Sequence, residues 1–311
     1  MTITNVCEIL KSKNNIEILT HASPDGDTLG CGYGLCHALQ QMGKNARVIT
    51  EALPKKFEYL ATGVKEQDFQ AEFVVSVDIA SMSLLGANFE EYHDKIDLCI
   101  DHHGSNSMDI KDSYVDATAA AACEIVYQIA VELGVKITKE MADCFYTGIA
   151  TDTGCFKFTN TTAKTHQIAS ELMELGCDYA FINKKMFDTK SKGRMALEYS
   201  VYNTMVYFAG GKGAIMSITQ DTLDSLNVSS DDIEGIEAIP RAIEGVLMGI
   251  TLKEKEDNSF KISVRTNDGI SASDFCKKFG GGGHPAAAGC RLTGTLEEVR
   301  KTLIKVAEEF I

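Results

Sequence analysis

The sequence predicts an α/β fold, an N-terminal domain on a parallel sheet followed by a smaller α+β domain. Three observations predict it. Short apolar runs alternate with helical periodicities through the first half, the pattern of parallel strands joined by crossover helices. Residues 72–79 and 96–101 are almost unbroken in apolar character, as in strands covered on both faces. After Asp188 the texture changes to closely spaced strands.

The elements follow in order. Residues 16–20 read as a strand, His21 to Gly26 as a loop, and 28–42 as a helix stopped by Gly43. Strands are expected at 46–50, 72–79 and 96–101, and helices at 118–133, 138–150 and 162–175, the last ended by Gly176. Residues 1–188 thus form a first domain. The polar stretch after Asp188 reads as a linker, taken over 189–202, and 203–311 as a second domain. There, strands are expected at 203–209, 213–219, 245–252 and 259–266, with helices at 272–279 and 295–310.

The chain has 311 residues, 44% hydrophobic, with a formal net charge of -14. That is enough chain to bury a core in each domain. An acidic protein does not wrap long duplex nucleic acid, which needs a surplus of Lys and Arg. A small phosphate ligand remains compatible, since bound divalent cations reverse the local charge. The ten cysteines include no CxxC pair and sit mostly in apolar stretches, as buried reduced thiols do. No targeting signal and no apolar stretch of membrane-spanning length is read, so the expected location is cytoplasmic, with no membrane partner.

Four short segments could carry chemistry. His21, Asp25 and Asp27 crowd into seven residues directly after a strand. Carboxylates so close repel unless a cation lies between them, although a polar turn with Asp as helix cap gives the same letters. Asp78 ends an apolar strand, where a carboxylate is costly to desolvate without a metal or basic partner. Asp101, His102 and His103 follow another strand. Ligands bind outside the carboxyl ends of parallel strands, so three strand ends would deliver these groups to one edge. Asp152 sits at a helix end among small residues. Helix-end polarity alone would also account for it.

The order HxxPDGD, then Asp, then DHH, then Asp resembles the DHH phosphoesterases. The Gly280–His284 stretch, with Pro285-Ala-Ala-Ala-Gly289, resembles their C-terminal DHHA1 domain. The resemblance covers essentially the whole chain, and the best-matching subgroup is that of nanoRNases that also dephosphorylate 3′-phosphoadenosine 5′-phosphate (pAp). It implies a DHH domain joined to a DHHA1 domain, with the active site in the interdomain cleft. It also implies two Mn²⁺ per chain, with Mg²⁺ or Co²⁺ as substitutes. His21 and Asp25 would hold the first ion; Asp27, His102 and Asp152 the second; Asp78 would bridge them. Four aspartates would balance two divalent ions. Asp101 would orient a histidine, and His103 would contact the phosphate. Hydrolysis would use water, without a Ser or Cys nucleophile.

In the C-terminal half, Gly281, Gly282 and Gly283 before His284 could let a ligand approach the backbone and offer it N–H groups; a flexible tight turn is the other reading. Arg265 matches the family's substrate-holding arginine and suits bidentate phosphate contact. With one end of the substrate gripped there, a length limit of a few nucleotides follows. His37, His93 and His166 read as ordinary helix or surface residues. Phe156 and Phe158 could stack on a base or pack in the core.

The reading is therefore a phosphoesterase cleaving short oligoribonucleotides (nanoRNA, pApA) to mononucleotides and pAp to AMP. The alternative is a phosphodiesterase of cyclic di-AMP or linear dinucleotides. A family II pyrophosphatase is disfavoured by the Gly280–His284 motif, and a RecJ-like exonuclease by the short acidic chain. A nucleotide-binding regulator without catalysis is disfavoured by the complete ligand set. The resemblance is compatible with a homodimer.

Overall fold

The computed structural model describes residues 1–255, 257–267 and 269–311, with residues 230 and 231 described by backbone only. Met1–Thr189 and Lys190–Ile311 form two compact units, each built around its own sheet. Among the described residues no helix is long and apolar enough to cross a membrane.

The first unit contains α1 (Ile3–Ser12), β1 (Ile16–Leu19), α2 (Gly26–Gln41), β2 (Ala46–Ile49), β3 (Phe73–Val77), β4 (Leu98–Asp101) and β5 (Asp112–Val115). It continues through α3 (Ala122–Leu133), α4 (Lys139–Asp152), α5 (Ala163–Glu174) and α6 (Tyr179–Asn183). The five strands are parallel, in the order β2-β1-β3-β4-β5. Strands β1, β3 and β4 are wholly buried, which is why their sequences are mostly apolar; the exceptions are Glu17 (paired with Arg47), Ser76 and the terminal Asp101. The chain winds one way from β1 to β2 and the other way from β1 to β3. Such a reversal opens a crevice beyond the carboxyl ends of the two central strands.

Helix α2 lies directly on α4. Gly26, Gly30 and Gly34, four residues apart, form the contact: a Cβ there would overlap Thr151, the Cys144 carbonyl and the Phe145 ring, respectively. The glycines let the first turn of α2 approach the last turn of α4. Three elements of this unit, α1, β5 and the short α6, carry no clear sequence signal. Helix α1 is short, with only Val6, Cys7 and Leu10 buried. Strand β5 is a half-exposed edge without an apolar run.

The second unit contains α7 (Lys192–Tyr202), β6 (Val206–Phe208), β7 (Gly213–Ile218), α8 (Gln220–Leu226), α9 (Ser230–Ile233), β8 (Met248–Glu254) and β9 (Ser259–Thr266). It ends with α10 (Ala272–Lys277), β10 (Gly282–His284), β11 (Ala287–Thr293) and α11 (Leu296–Ala307). The sheet order is β10-β11-β9-β8-β7-β6, mixed, with β7 and β8 parallel. One face carries Ile250, Leu252, Ile262 and Val264, packed in one core with Phe275 of α10 and Leu303 of α11. On the other face Met216 and Ile218 pack with Leu197 and Val201 of α7.

Residues 192–202, expected as linker, are this helix. Ser191 caps it by accepting from the Arg194 amide, and the apolar pair Leu197 and Val201 anchors it. Its Lys- and Gly-containing start concealed a four-residue periodicity of only two side chains. The glycine stretch also differs from a flexible turn: Gly282, Gly283 and His284 form an edge strand paired with Gly289, Ala288 and Ala287.

Candidate metal centre

The carboxyl ends of β1, β3 and β4, with the C-terminal end of α4, bring six predicted ligands together. The loop after β1 ends at Asp25, the N-cap of α2, whose carboxylate accepts from the amides of Asp27 and Thr28. His21 Nε2 lies 3.7 Å from Asp25 Oδ1. The Thr28 hydroxyl donates to the Val77 carbonyl at 3.0 Å, tying the α2 start to the end of β3.

Asp27 is fully buried. Its oxygens accept the amides of Ala122 at 2.6 Å and Cys123 at 2.9 Å. Helix α3 has no side-chain cap of its own, so Asp27, from another helix, caps its N-terminus. Beneath Asp27, Cys31 Sγ lies 3.8 Å from Asp27 Oδ1 and 3.5 Å from Cys123 Sγ. All ten cysteines are unpaired, nine buried and Cys155 partly so.

Asp78 follows the last residue of β3 with a positive φ of 59°. This left-handed backbone is costly for a residue with a Cβ. Its amide donates to the Ile100 carbonyl at 2.9 Å. The side chain is buried, and Oδ1 has no hydrogen-bond partner among the described residues.

His102 presents Nδ1 to the Ala119 carbonyl at 3.2 Å. That contact turns Nε2 toward Asp152 Oδ2 at 3.3 Å, Asp78 Oδ1 at 3.5 Å and Asp27 Oδ2 at 3.9 Å. His103 places its Nδ1 2.8 Å from Asp101 Oδ1 and 3.5 Å from Asp78 Oδ1, with 41% of its side chain exposed. Asp101 is buried and also accepts from Asn106 at 2.6 Å. Asn106 was not anticipated from sequence; its one signal is a polar residue in the loop after the second histidine.

The electrostatics call for positive charge. Burial, then repulsion from Asp27 and Asp25, pushes the Asp78 carboxyl well up. Burial and then Asp27 push Asp152 up to about 8. Burial and then Asp25 raise Asp27 to about 6. For Asp101 burial acts upward, but the His103 and Asn106 hydrogen bonds outweigh it and hold the carboxyl below its usual range. The same Asp101 contact raises His103.

The donor set fits metal binding. His21, Asp25 and Asp78 place one donor atom each within 4.8 Å of one another, as do Asp27, His102 and Asp152, and Asp78, His102 and His103. Carboxylate and imidazole ligands suit divalent ions, and the buried Asp78 Oδ1, which accepts no hydrogen bond among the described residues, is an oxygen such an ion would satisfy.

The model of the DHH family, N-terminal domain, matches residues 15–149, and that of the DHHA1 domain matches residues 210–311. The chain belongs to the DHH family. It is 32% identical to the bifunctional oligoribonuclease and PAP phosphatase NrnA of Thermus thermophilus, over 98% of this chain and 93% of the relative. It is 24% identical to the protein of that name from Bacillus subtilis, over 93% of each. Among solved structures, an exopolyphosphatase-related protein from Bacteroides fragilis matches with a TM-score of 0.87 at 26% identity, over 99% of this chain and 96% of that one.

The second unit holds the remaining predicted residues of this DHH-family chain. Arg265 on β9 is half-buried and pairs with Glu237 at 2.9 Å, a partner the sequence did not suggest. Ala287 opposes Arg265 on one side and His284 on the other, so all three share one face. His284 and Gly282 are exposed. A Cβ on Gly281 or Gly283 would meet backbone atoms of β11, so close strand approach explains those two glycines.

In the first unit Phe156 stacks on His166, ring centroids 5.2 Å apart. Both line a cavity of about 430 Å³ with Tyr146 and Met173. Phe158 is exposed and lies over Gly154.

Proposed function

We propose that this chain is a two-metal phosphoesterase that hydrolyses short oligoribonucleotides and pAp. The carrying observation is the pair of donor triads, His21/Asp25/Asp78 and Asp27/His102/Asp152, beside a buried Asp78 oxygen that accepts no hydrogen bond among the described residues. The names of the Thermus thermophilus and Bacillus subtilis relatives support the substrate class.

His21 and Asp25 would hold one Mn²⁺, Asp27, His102 and Asp152 the other, and Asp78 both. Bound there, the ions supply activation of a water and neutralisation of phosphoryl charge. The protein's own groups do the rest. The Ala119 carbonyl orients His102 so that Nε2 faces the carboxylates. The Ala122 and Cys123 amides hold Asp27 in place. Asp101, fixed by Asn106, keeps a proton on His103 Nδ1. The partly exposed His103 ring can then donate from Nε2 to a phosphoryl oxygen as charge develops on it. Arg265, with His284 on the same sheet face, would bind a second phosphate of the substrate.

The test is a hydrolysis assay in Mn²⁺ with pApA, pAp, cyclic di-AMP, pyrophosphate and a 24-mer RNA side by side. Turnover of pApA and pAp, with little on the other three, is expected. Preference for cyclic di-AMP or pyrophosphate would overturn the substrate assignment.

A further inference from the structure

We infer that the sheet face carrying Arg265 continues into a second anion subsite, formed by Lys253, Lys261 and Thr251, that takes the phosphate and nucleoside of a further nucleotide. The inference rests on the oligonucleotide reading above and extends it to residues outside the family motifs.

The register defines the face. On β9, Ile262 and Val264 enter the core, so Lys261, Ser263 and Arg265 point the opposite way. Their partners on β8 are Lys253, Thr251 and Gly249. Arg265, Ser263 and Lys261 therefore repeat every two residues, ~6.8 Å apart along an extended strand. That repeat is of the same order as the separation of successive phosphates in an extended single strand.

Two features of this face are unfavourable in the protein alone. Lys253 and Lys261 are directly opposed, and like charges in that position are destabilising. Among the described residues, neither makes an ion pair within 4.0 Å; the carboxylate of Glu237 is engaged by Arg265. Burial, then Lys255 and Lys261, lower the pKa of Lys253, with Glu237 acting weakly against them. Next to the lysines, Thr251 is 3% exposed and its hydroxyl has no hydrogen-bond partner. An unmet buried polar group costs about 1–3 kcal/mol.

Both features border one cavity of about 330 Å³. Thr251, Ser263, Lys253 and Lys261 form its polar side, Ile218 and Ile236 its apolar side, and Glu234 and Glu237 also line it. That volume lies at the lower end of small-molecule sites, about 300–1,000 Å³. An apolar wall facing a hydroxyl and two ammonium groups matches a nucleoside with its phosphate. The lysines offset each other's repulsion by sharing the phosphate, and Thr251 gains an acceptor or donor.

The test compares a dinucleotide with a tetranucleotide in the full chain carrying Lys253→Gln and Lys261→Gln together, and separately Thr251→Val. The ratio of kcat/KM for tetranucleotide over dinucleotide is expected to fall about tenfold in the double variant, through KM. In an Asp78→Asn background, tetranucleotide binding followed by fluorescence anisotropy should lose about 0.7 of log–log salt slope per phosphate contact removed. An unchanged ratio and slope in a folded double variant would overturn the subsite while leaving the activity intact. If the parent protein turns over no oligonucleotide at all, the functional reading fails and the subsite falls with it.

Discussion

Nδ1 of His103 lies 2.8 Å from Oδ1 of Asp101, and this contact fixes which face of the imidazole is left for substrate. Asp101 is in turn held at 2.6 Å by Asn106. Asp101→Asn removes the charge that keeps the proton on Nδ1. The expected result is a fall in kcat of about a hundredfold, the scale of one general acid–base or tautomer effect, with KM little changed. Asn106→Ala, which frees Asp101 to move, should cost about tenfold. A pH–rate profile separates this positioning role from a structural one. The alkaline limb assigned to His103, which must be protonated to donate from Nε2, should move to lower pH in Asp101→Asn, because the contact that raises the imidazole is gone.

Asp78 joins a left-handed backbone to a buried carboxyl without a hydrogen-bond partner on Oδ1. Glycine relieves the first, and removal of the side chain relieves the second. Without metal, Asp78→Gly should therefore be more stable than the parent by about 1–2 kcal/mol, while hydrolysis falls by several orders of magnitude. Calorimetry in EDTA and in Mn²⁺ checks both. Mn²⁺ should stabilise the parent, by about 2.7 kcal/mol per site at a hundredfold excess over Kd, and the variant much less. Near-normal turnover by Asp78→Ala would remove this residue from the site.

Gly148 on α4 faces Cys123 and Asp27, with a built Cβ 2.6 Å from Asp27 Oδ1. Gly148→Ala is expected to destabilise by about 1–3 kcal/mol through overpacking. It should also displace Asp27 from the amides that hold it, weakening cation binding at least tenfold by isothermal titration. A stability loss with unchanged cation affinity would show that Asp27 tolerates the displacement.

Glu198 on α7 is paired at 2.7 Å with both Lys190 and Arg194. Burial acts upward on its carboxyl, but the two hydrogen bonds outweigh it, and the folded-state pKa lies below the ordinary 4.5. A depressed carboxyl contributes stability above its unfolded value and loses it as pH falls through the folded one. Urea titrations should show Glu198→Gln about 1–3 kcal/mol less stable than the parent at pH 7. The gap should narrow as pH falls below 4.5 and the carboxyl protonates. A gap that does not narrow on acidification would assign the effect to packing.

Legibility in the sequence followed burial and spacing. Strand β9 was read at its observed limits, 259–266, because alternation and length both marked it. The strands under the metal centre, β1, β3 and β4, are legible because covering both faces makes their sequences mostly apolar. Asp78 was visible as a charge at the end of such a run, but its φ was not, since nothing in the letters reports backbone handedness at a non-glycine. The Asp27 contact with α3 crosses 95 residues, and no local pattern encodes it. Helix α7 reads as a linker in the sequence because its polar first turn outweighs two buried side chains, Leu197 and Val201. Strand β10 was hidden because glycines carry no side-chain alternation to read.

The two amides that clasp Asp27 are also a built-in spectroscopic window. Ala122 and Cys123 are buried, and their N–H groups touch a carboxylate whose Oδ2 also faces His102 at 3.9 Å. Their amide resonances sense whatever draws charge from that carboxylate. Mg²⁺ should shift them, paramagnetic Mn²⁺ should bleach them, and both effects should be read without any substrate in the tube.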